Sequence, residues 1–309
     1  MNKLVIALAG IFFLISCRND KKAEDKPVEE TLTSGSIVLL TDNTLQPIVD
    51  DVLTIFHSVY DRANIKQINK DEAEIINLLS KDSAAVAVLP RKLTAEEENH
   101  FLKRKITPRI SQFGFDAVAL ITNKQSTDTI INLEDIYNIL RGNESSLKSK
   151  LVFDNPSSST VQYLLAKAGV TKVPERNIYS LQSTEEVVKY VHDNKDVVGI
   201  IGLNWLLQPP ASLSEYVENI KVMGVKNVKA EENSDKYYKP SQRNLGLGLY
   251  PLTRSLYVLN YQGKNGLGMG FATYIGGTEG QRIILKSGLL PVMIPTREIA
   301  VRKELETTE

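Results

Sequence analysis

Two short runs, 84–89 (AAVAVL) and 197–201 (VVGII), carry no polar alternation at all. A strand with one face in water alternates polar and apolar side chains, so a run that is apolar on both faces fits a parallel strand covered by helices above and below. Helical stretches alternate with such runs along the chain. Residues 37–40 lead into the polar turn Thr41-Asp42-Asn43-Thr44 and then into Leu45, Ile48, Val49, Val52, Phe56 and Val59, which share one helical face. Pro47 falls in the first turn of that helix, where its missing N–H is harmless. A weaker strand at 65–68 precedes a helix near 71–79, and a charged helix opens at Thr94. Residues 113–122 (FGFDAVALIT) form a longer strand, and Leu133, Ile136, Tyr137 and Leu140 a helix that Gly142 stops. Ser183 to Glu186 has the spacing of a capping box at the head of a helix through Val187, Val188 and Val191. The alternation predicts an α/β protein built on doubly wound, mostly parallel sheets with flanking helices.

On such sheets ligands gather beyond the carboxyl ends of the strands, where the turns after Leu40, Leu89 and Phe153 are placed. The third turn is the richest. In 151–169 (LVFDNPSSSTVQYLLAKAG) a buried strand, Leu151 to Phe153, meets four hydroxyls, Ser157, Ser158, Ser159 and Thr160. Behind them Val161, Leu164, Leu165 and Ala168 make the apolar stripe of a helix. The start of a helix leaves backbone N–H groups without internal partners and carries a partial positive charge, so hydroxyls there can hold an anion. Serine and threonine are also ordinary helix caps, and one of the four is expected to serve that way.

The chain has 309 residues, 42% hydrophobic and 24% charged, enough for two lobes with separate cores. Lys+Arg and Asp+Glu both number 37, and this balance argues against nucleic acid as a partner. At the N-terminus Lys3 precedes an apolar run, 4–15, ending in Leu14-Ile15-Ser16-Cys17, which has the charge and length of an export signal and resembles a bacterial lipobox. Cys17 is the chain's single cysteine, and lipidation would account for a thiol with no internal partner. The other reading is an apolar N-terminal helix of a cytosolic protein. Residues 18–33 are charged and poor in large apolar side chains, as in a flexible tether.

Further on, 208–242 reads as loops plus one strand near 220–223, with no nameable chemistry. Trp205 reads as core and not as a stacking platform. Then come Tyr250-Pro-Leu-Thr-Arg254-Ser-Leu-Tyr257, Phe271-Ala-Thr-Tyr274, Thr278-Glu-Gly-Gln281 and Gly288-Leu-Leu-Pro291. Thr278 with Gln281 has capping-box spacing, and Gly288 ends that helix. In this order the four motifs resemble the PstS-like substrate-binding proteins of bacterial phosphate ABC transporters. Phe115 to Asn123, Asn132 to Gly142 and Val198 to Leu203 extend the resemblance over 35–301.

The resemblance implies a two-lobed type II periplasmic-binding-protein fold. Its expected divisions are a lipoprotein signal at 1–17, a tether at 18–34, lobe one at 35–111 and again at 246–302, lobe two at 112–245, and a tail at 303–309. It implies a monomeric, lipid-anchored solute-binding protein of the cell envelope, facing the periplasm or the cell surface. Phosphate or a related oxyanion would bind between the lobes for delivery to an ABC permease, without cofactor or metal. Ser158, Ser159 and Thr160 stand where the family has S-G-T; Asp42, Asn43 and Thr44 stand at its first hydroxyl-rich loop, with only Thr44 a plain match. Asp154 stands where the family usually has arginine, which reverses a charge. Arg91 can compensate with a guanidinium fork, or be a solvated charge beside Lys92. Arg254 stands at a family arginine position and serves either hinge or ligand.

A non-transport envelope lipoprotein of the same fold, a sensor or complex subunit with a different ligand, is the alternative. An enzyme is disfavoured. His57, His100 and His192 share no metal-ligand spacing, and no nucleophile elbow or P-loop is present.

Overall fold

The computed structural model describes residues 29–227 and 235–296. Cys17, the signal segment, most of the tether and the tail expected at 303–309 lie outside the described residues. The first half runs β1 (Gly35–Asp42), a 3-10 turn (Asn43–Leu45), α1 (Gln46–Val59), β2 (Ala63–Lys70), α2 (Glu72–Ser80), β3 (Val86–Leu89) and α3 (Ala95–Lys103). The long strand β4 (Arg109–Asn123) follows. Then come β5 (Ile130–Asn132), α4 (Leu133–Leu140), β6 (Lys150–Phe153), α5 (Ser159–Ala168), β7 (Ile178–Ser180), α6 (Thr184–Asp193), β8 (Val197–Gly202) and α7 (Asn204–Leu207). The remainder is α8 (Ser214–Val217), β9 (Ile220–Val222), β10 (Gly224–Lys226), α9 (Gln242–Gly246), β11 (Thr253–Asn260), α10 (Leu267–Gly276), α11 (Thr278–Lys286) and β12 (Leu290–Pro291).

The main sheet has the order β2-β1-β3-β11-β4-β8-β6-β7. β2, β1 and β3 are mutually parallel, as are β8, β6 and β7. β11 and β4 stand between the two triads in antiparallel pairing. β4 is 15 residues long, about 50 Å at the usual strand rise, and it belongs to both halves. The expected strand at 113–122 is therefore too short. Its missing start, Arg109 to Gln112, is half-buried and has Ile110 as its one apolar residue, so no apolar run marks it.

One core gathers side chains from Ala117 to Leu252. The first half has two, one on each face of its sheet: α1, α10 and α11 cover one face, α2 and α3 the other. The chain passes from one core to the other between Phe113 and Ala117, and returns between Leu252 and Leu256. The described N-terminus already belongs to the first half, before Gly35. Glu30 accepts hydrogen bonds from Gln262 Nε2 (3.0 Å), Lys264 Nζ (2.6 Å) and the Leu267 amide (3.2 Å) at the start of α10.

Val59, expected on the apolar face of α1, is exposed at its end, and two further local signals failed. Gly142, at φ 76°, follows α4 as expected, and Ser183 caps α6 by accepting from the Glu186 amide, although Glu186 Oε2 reaches back to the Gln182 amide and not to Ser183. The first exception is the box at Thr278: Gly277 is the N-cap and no side chain caps it. Gln281 instead is fully buried and donates to Phe113 O (2.8 Å) and Ile275 O (2.9 Å), fastening α11 to β4. The second is the stretch 208–242, which holds α8, β9 and β10 and so carries more than loops and one strand. Trp205 is core, as expected.

Candidate functional site

The strand directions decide where a site can form. β4 leads from the first half into the second; β1 and β3 run parallel to it, and β8, β6 and β7 run against it. The carboxyl ends of β1 and β3 therefore point towards the second half, and those of β6 and β8 point back. Asp42 ends β1 and Asp154 follows β6. Both polar turns meet in one crevice.

At the meeting point Ser159 Oγ lies 2.9 Å from Thr44 Oγ1 and donates to Asp42 Oδ1 at 2.9 Å, contacts that cross from one half to the other. Asp42 Oδ1 also accepts from the Thr44 amide (2.9 Å) and from Thr44 Oγ1. The two hydroxyls have one proton each. If both point at Asp42, none is left for the bond between them, unless the carboxyl itself carries a proton. Burial pushes Asp42 up to about 6, against the stabilising hydrogen bond of Thr44 and the charge of Arg254. Asn204, buried at the start of α7, donates to the Thr44 carbonyl at 2.7 Å and closes the same junction from behind.

Arg254 is the cation of the crevice. It is buried on β11, donates to Ser159 Oγ (3.0 Å) and Thr44 Oγ1 (3.4 Å), and pairs with Asp116 at 2.7 Å across the β11–β4 ladder. Its Nε is buried without a hydrogen-bond partner, as is Asp42 Oδ2. Burial raises Asp116 although Arg254 beside it lowers it.

Asp154, in the place of the expected arginine, faces hydroxyls of its own half: it accepts from Ser158 Oγ, from Thr160 Oγ1 (3.5 Å) and from Thr184 Oγ1 (3.3 Å). Burial pushes it, too, up to about 6, with Ser158 opposing and the charge of Asp42 adding. Ser158 is the N-cap of α5, accepting from the Val161 amide. The amides of Ser159 and Thr160, in the first turn, are the ones for which helix geometry provides no internal acceptor.

Of the residues picked from sequence, Asp42, Thr44, Ser158, Ser159 and Thr160 are therefore together and buried. Asn43 stands one step out, donating to Asp71 Oδ1 (2.8 Å), which Asn155 of the other half also reaches (3.1 Å). Arg91 is on the crevice wall, but its fork is closed on Glu97 (2.8 and 3.0 Å) and its Nε on Glu72 (2.7 Å). With Lys92 O (2.9 Å) as a further acceptor, four of its five N–H groups are engaged within the protein. Sequence reading left Arg254 undecided and passed over Asp116 and Asn204. The available signal was a lone charge in each of two apolar strands, FGFDAVALIT and TRSLYVLN, of opposite sign.

Beside this junction a cavity of about 290 Å³ extends along α5, lined by Ser159, Gln162, Tyr163 and Ala166 on one side, by Glu72, Pro90 and Arg91 on the other, and by Arg254. Among the described residues no group of His, Cys, Asp and Glu is arranged to hold a metal ion, and no helix is long and apolar enough to cross a membrane.

A family model described as a PBP superfamily domain matches residues 26–279. The chain belongs to the PBP superfamily. Within it this PBP chain is PstS-like: it is 22% identical over 306 residues to the phosphate-binding protein PstS of Borreliella burgdorferi, covering 94% of this chain and 98% of that protein. Its fold is that of the type II periplasmic binding proteins. A phosphate-bound crystal structure from Clostridium perfringens, of a chain assigned to phosphate ABC transporter substrate-binding proteins, superposes with a TM-score of 0.68 at 16% identity, over 84% of this chain and 100% of that one. An ABC-type phosphate transport receptor from Vibrio cholerae gives 0.62 at 18% identity, over 83% and 100%.

Proposed function

We propose that this chain is a lipid-anchored solute-binding protein that holds phosphate or a related oxyanion in the crevice between its halves and delivers it to an ABC permease. The relatives named above are phosphate-binding transport proteins and not enzymes, which supports the class. The observation that carries the ligand is the junction of Ser159, Thr44 and Arg254, where donors from both halves converge within hydrogen-bond distance of one another. In this reading the amides of Ser159 and Thr160 and the hydroxyls of Thr44 and Ser159 hold ligand oxygens, Arg254 supplies the charge, and Ser158, whose proton goes to Asp154, caps the helix that presents them. Asp42 takes the ligand's proton. Asn43 and Arg91 shape the walls. The lipid on Cys17 keeps the protein at the envelope surface.

The replacement of a cleft arginine by Asp154 favours a second reading, a sensor or complex subunit of the same fold with a different ligand. Calorimetric titration of phosphate and sulfate, with Trp205 fluorescence as a second readout, separates the two. Trp205 adjoins Asn204, which bridges to Thr44, so closing of the crevice is expected to alter its emission. We expect phosphate binding that Ser159→Asp abolishes, because a second carboxylate would face Asp42. Absence of any response to oxyanions would reject the importer reading.

A further inference from the structure

An inorganic oxyanion at the Ser159–Arg254 junction would occupy only the inner end of the cavity. From Ser159 to Ala166 the cavity follows one face of α5 for about 10 Å at the helical rise. At about 290 Å³ it stands at the lower end of the range that encloses organic ligands, roughly 300 Å³ and upward. Pro90 and Tyr163 offer carbon and ring surfaces between Ser159 and the outer residue Ala166, and Glu72 lines the cavity from outside α5.

The charges point the same way. Both guanidiniums that line the cavity are already in ion pairs, Arg254 with Asp116 (2.7 Å), and Arg91 with Glu72 (2.7 Å) and Glu97 (2.8 Å). Asp42, Asp71 and Asp154 stand around the same crevice with hydroxyl or amide partners only. The local balance is negative, a poor setting for a doubly charged anion by itself. A ligand bearing its own cation, several bonds from the oxyanion, offsets that balance.

Resting on the oxyanion reading above, we infer that the preferred ligand is an aminoalkyl phosphate or phosphonate. Its oxyanion accepts from the Arg254 guanidinium and the first amides of α5. Its short carbon linker lies between Pro90 and Tyr163, and its ammonium faces the Glu72–Arg91–Glu97 cluster on the Glu72 side, where two carboxylates meet one guanidinium. Arg254, a buried guanidinium that lines the cavity and donates to Ser159 and Thr44, marks the oxyanion end independently of the acidic groups.

The test is calorimetry on the full chain in mild detergent with inorganic phosphate, phosphorylethanolamine, glycerol 3-phosphate and ethanolamine. Phosphorylethanolamine is expected to bind about tenfold tighter than inorganic phosphate, as a desolvated charge pair allows, with glycerol 3-phosphate between them. Glu72→Gln should reduce the ratio of phosphorylethanolamine to phosphate affinity several-fold. Ala166→Phe, a substitution on the exposed face of α5 that leaves the fold's cores untouched, should reduce it as well by narrowing the outer chamber. Inorganic phosphate binding as tightly as both esters would overturn this inference and leave the oxyanion reading standing. Failure of every phosphate to bind would overturn both. Ethanolamine binding as tightly as its phosphate would remove the oxyanion end.

Discussion

Asp42 and Asp154 are the same residue type at the same place in a strand-turn-helix corner, and burial pushes both up to about 6, yet their surroundings differ. Asp154 is enclosed by three hydroxyls of its own half, from Ser158, Thr160 and Thr184, and ties β6, α5 and α6 together. Asp42 is reached from the other half by Ser159, and one of its oxygens is buried without a partner. The comparison teaches that a titration shift by itself does not mark a functional carboxylate. What separates the two is the direction from which their hydrogen bonds arrive.

The largest test of this division is Arg254→Met. The substitution leaves Asp116 buried and uncompensated, so we expect a loss of about 3 to 5 kcal/mol in urea unfolding, with ligand binding abolished. The double variant Arg254→Met, Asp116→Leu should recover most of the stability, because the buried charge is gone, and none of the binding. Recovery of binding in the double variant would show that Arg254 acts only as a hinge residue.

A middle-sized effect comes from pH. Both carboxyls have folded-state values near 6, above the ordinary value of 3.8, so between about pH 4 and 6 the folded chain holds more protons than the unfolded one. Their contribution to stability is full below pH 4 and lost as pH rises through 6, on the order of 1 to 3 kcal/mol per carboxylate. Urea unfolding at pH 4 and pH 7.5 measures it as the difference between wild type and variant, which cancels opposing groups such as Glu30 and Glu97, whose values are lowered. Asp42→Asn and Asp154→Asn should each remove a comparable part of the slope. Only Asp42→Asn should also alter the pH dependence of ligand affinity, and an equal change from Asp154→Asn would dissolve the distinction.

The sheet and both polar turns were legible because they rest on local signals: unbroken apolar runs for β3 and β8, hydroxyl caps for α5 and α6. What failed to show depends on pairing over distance. Arg254 and Asp116 lie 138 positions apart and become one unit only through the β11–β4 register. Gln281 looked like a capping partner because spacing sees only the near sequence, whereas its amide bonds to β4, 168 positions away. The fork of Arg91 was visible; its engagement by Glu72 and Glu97 was not, since Glu72 arrives from the preceding helix. The setting of Asp154, with three hydroxyls turned inward, did not show either, since it needs Thr184 from a helix that the turn does not predict.

The smallest effect on binding sharpens the comparison most, since it holds chemistry constant. Thr44→Val and Thr184→Val each remove one buried hydroxyl that donates to one of the two carboxyls, Asp42 and Asp154 respectively. Thr184→Val deletes one hydrogen bond to an acidic group and should cost about 1.5 to 3 kcal/mol, and Thr44→Val, which deletes the bond to Asp42 together with those to Ser159 and Arg254, should cost at least as much. Their effects on binding should diverge. Thr44 is bonded to Ser159 and Arg254 across the crevice, so its loss should weaken oxyanion affinity by roughly tenfold, the equivalent of one good hydrogen bond. Thr184 touches nothing from the first half among its hydrogen bonds, so affinity should hold within about twofold, inside the spread of a distant, additive site. Equal losses of affinity in calorimetry would mean that the two corners act as one coupled network, and Asp154 would then count with Asp42 as part of the binding site.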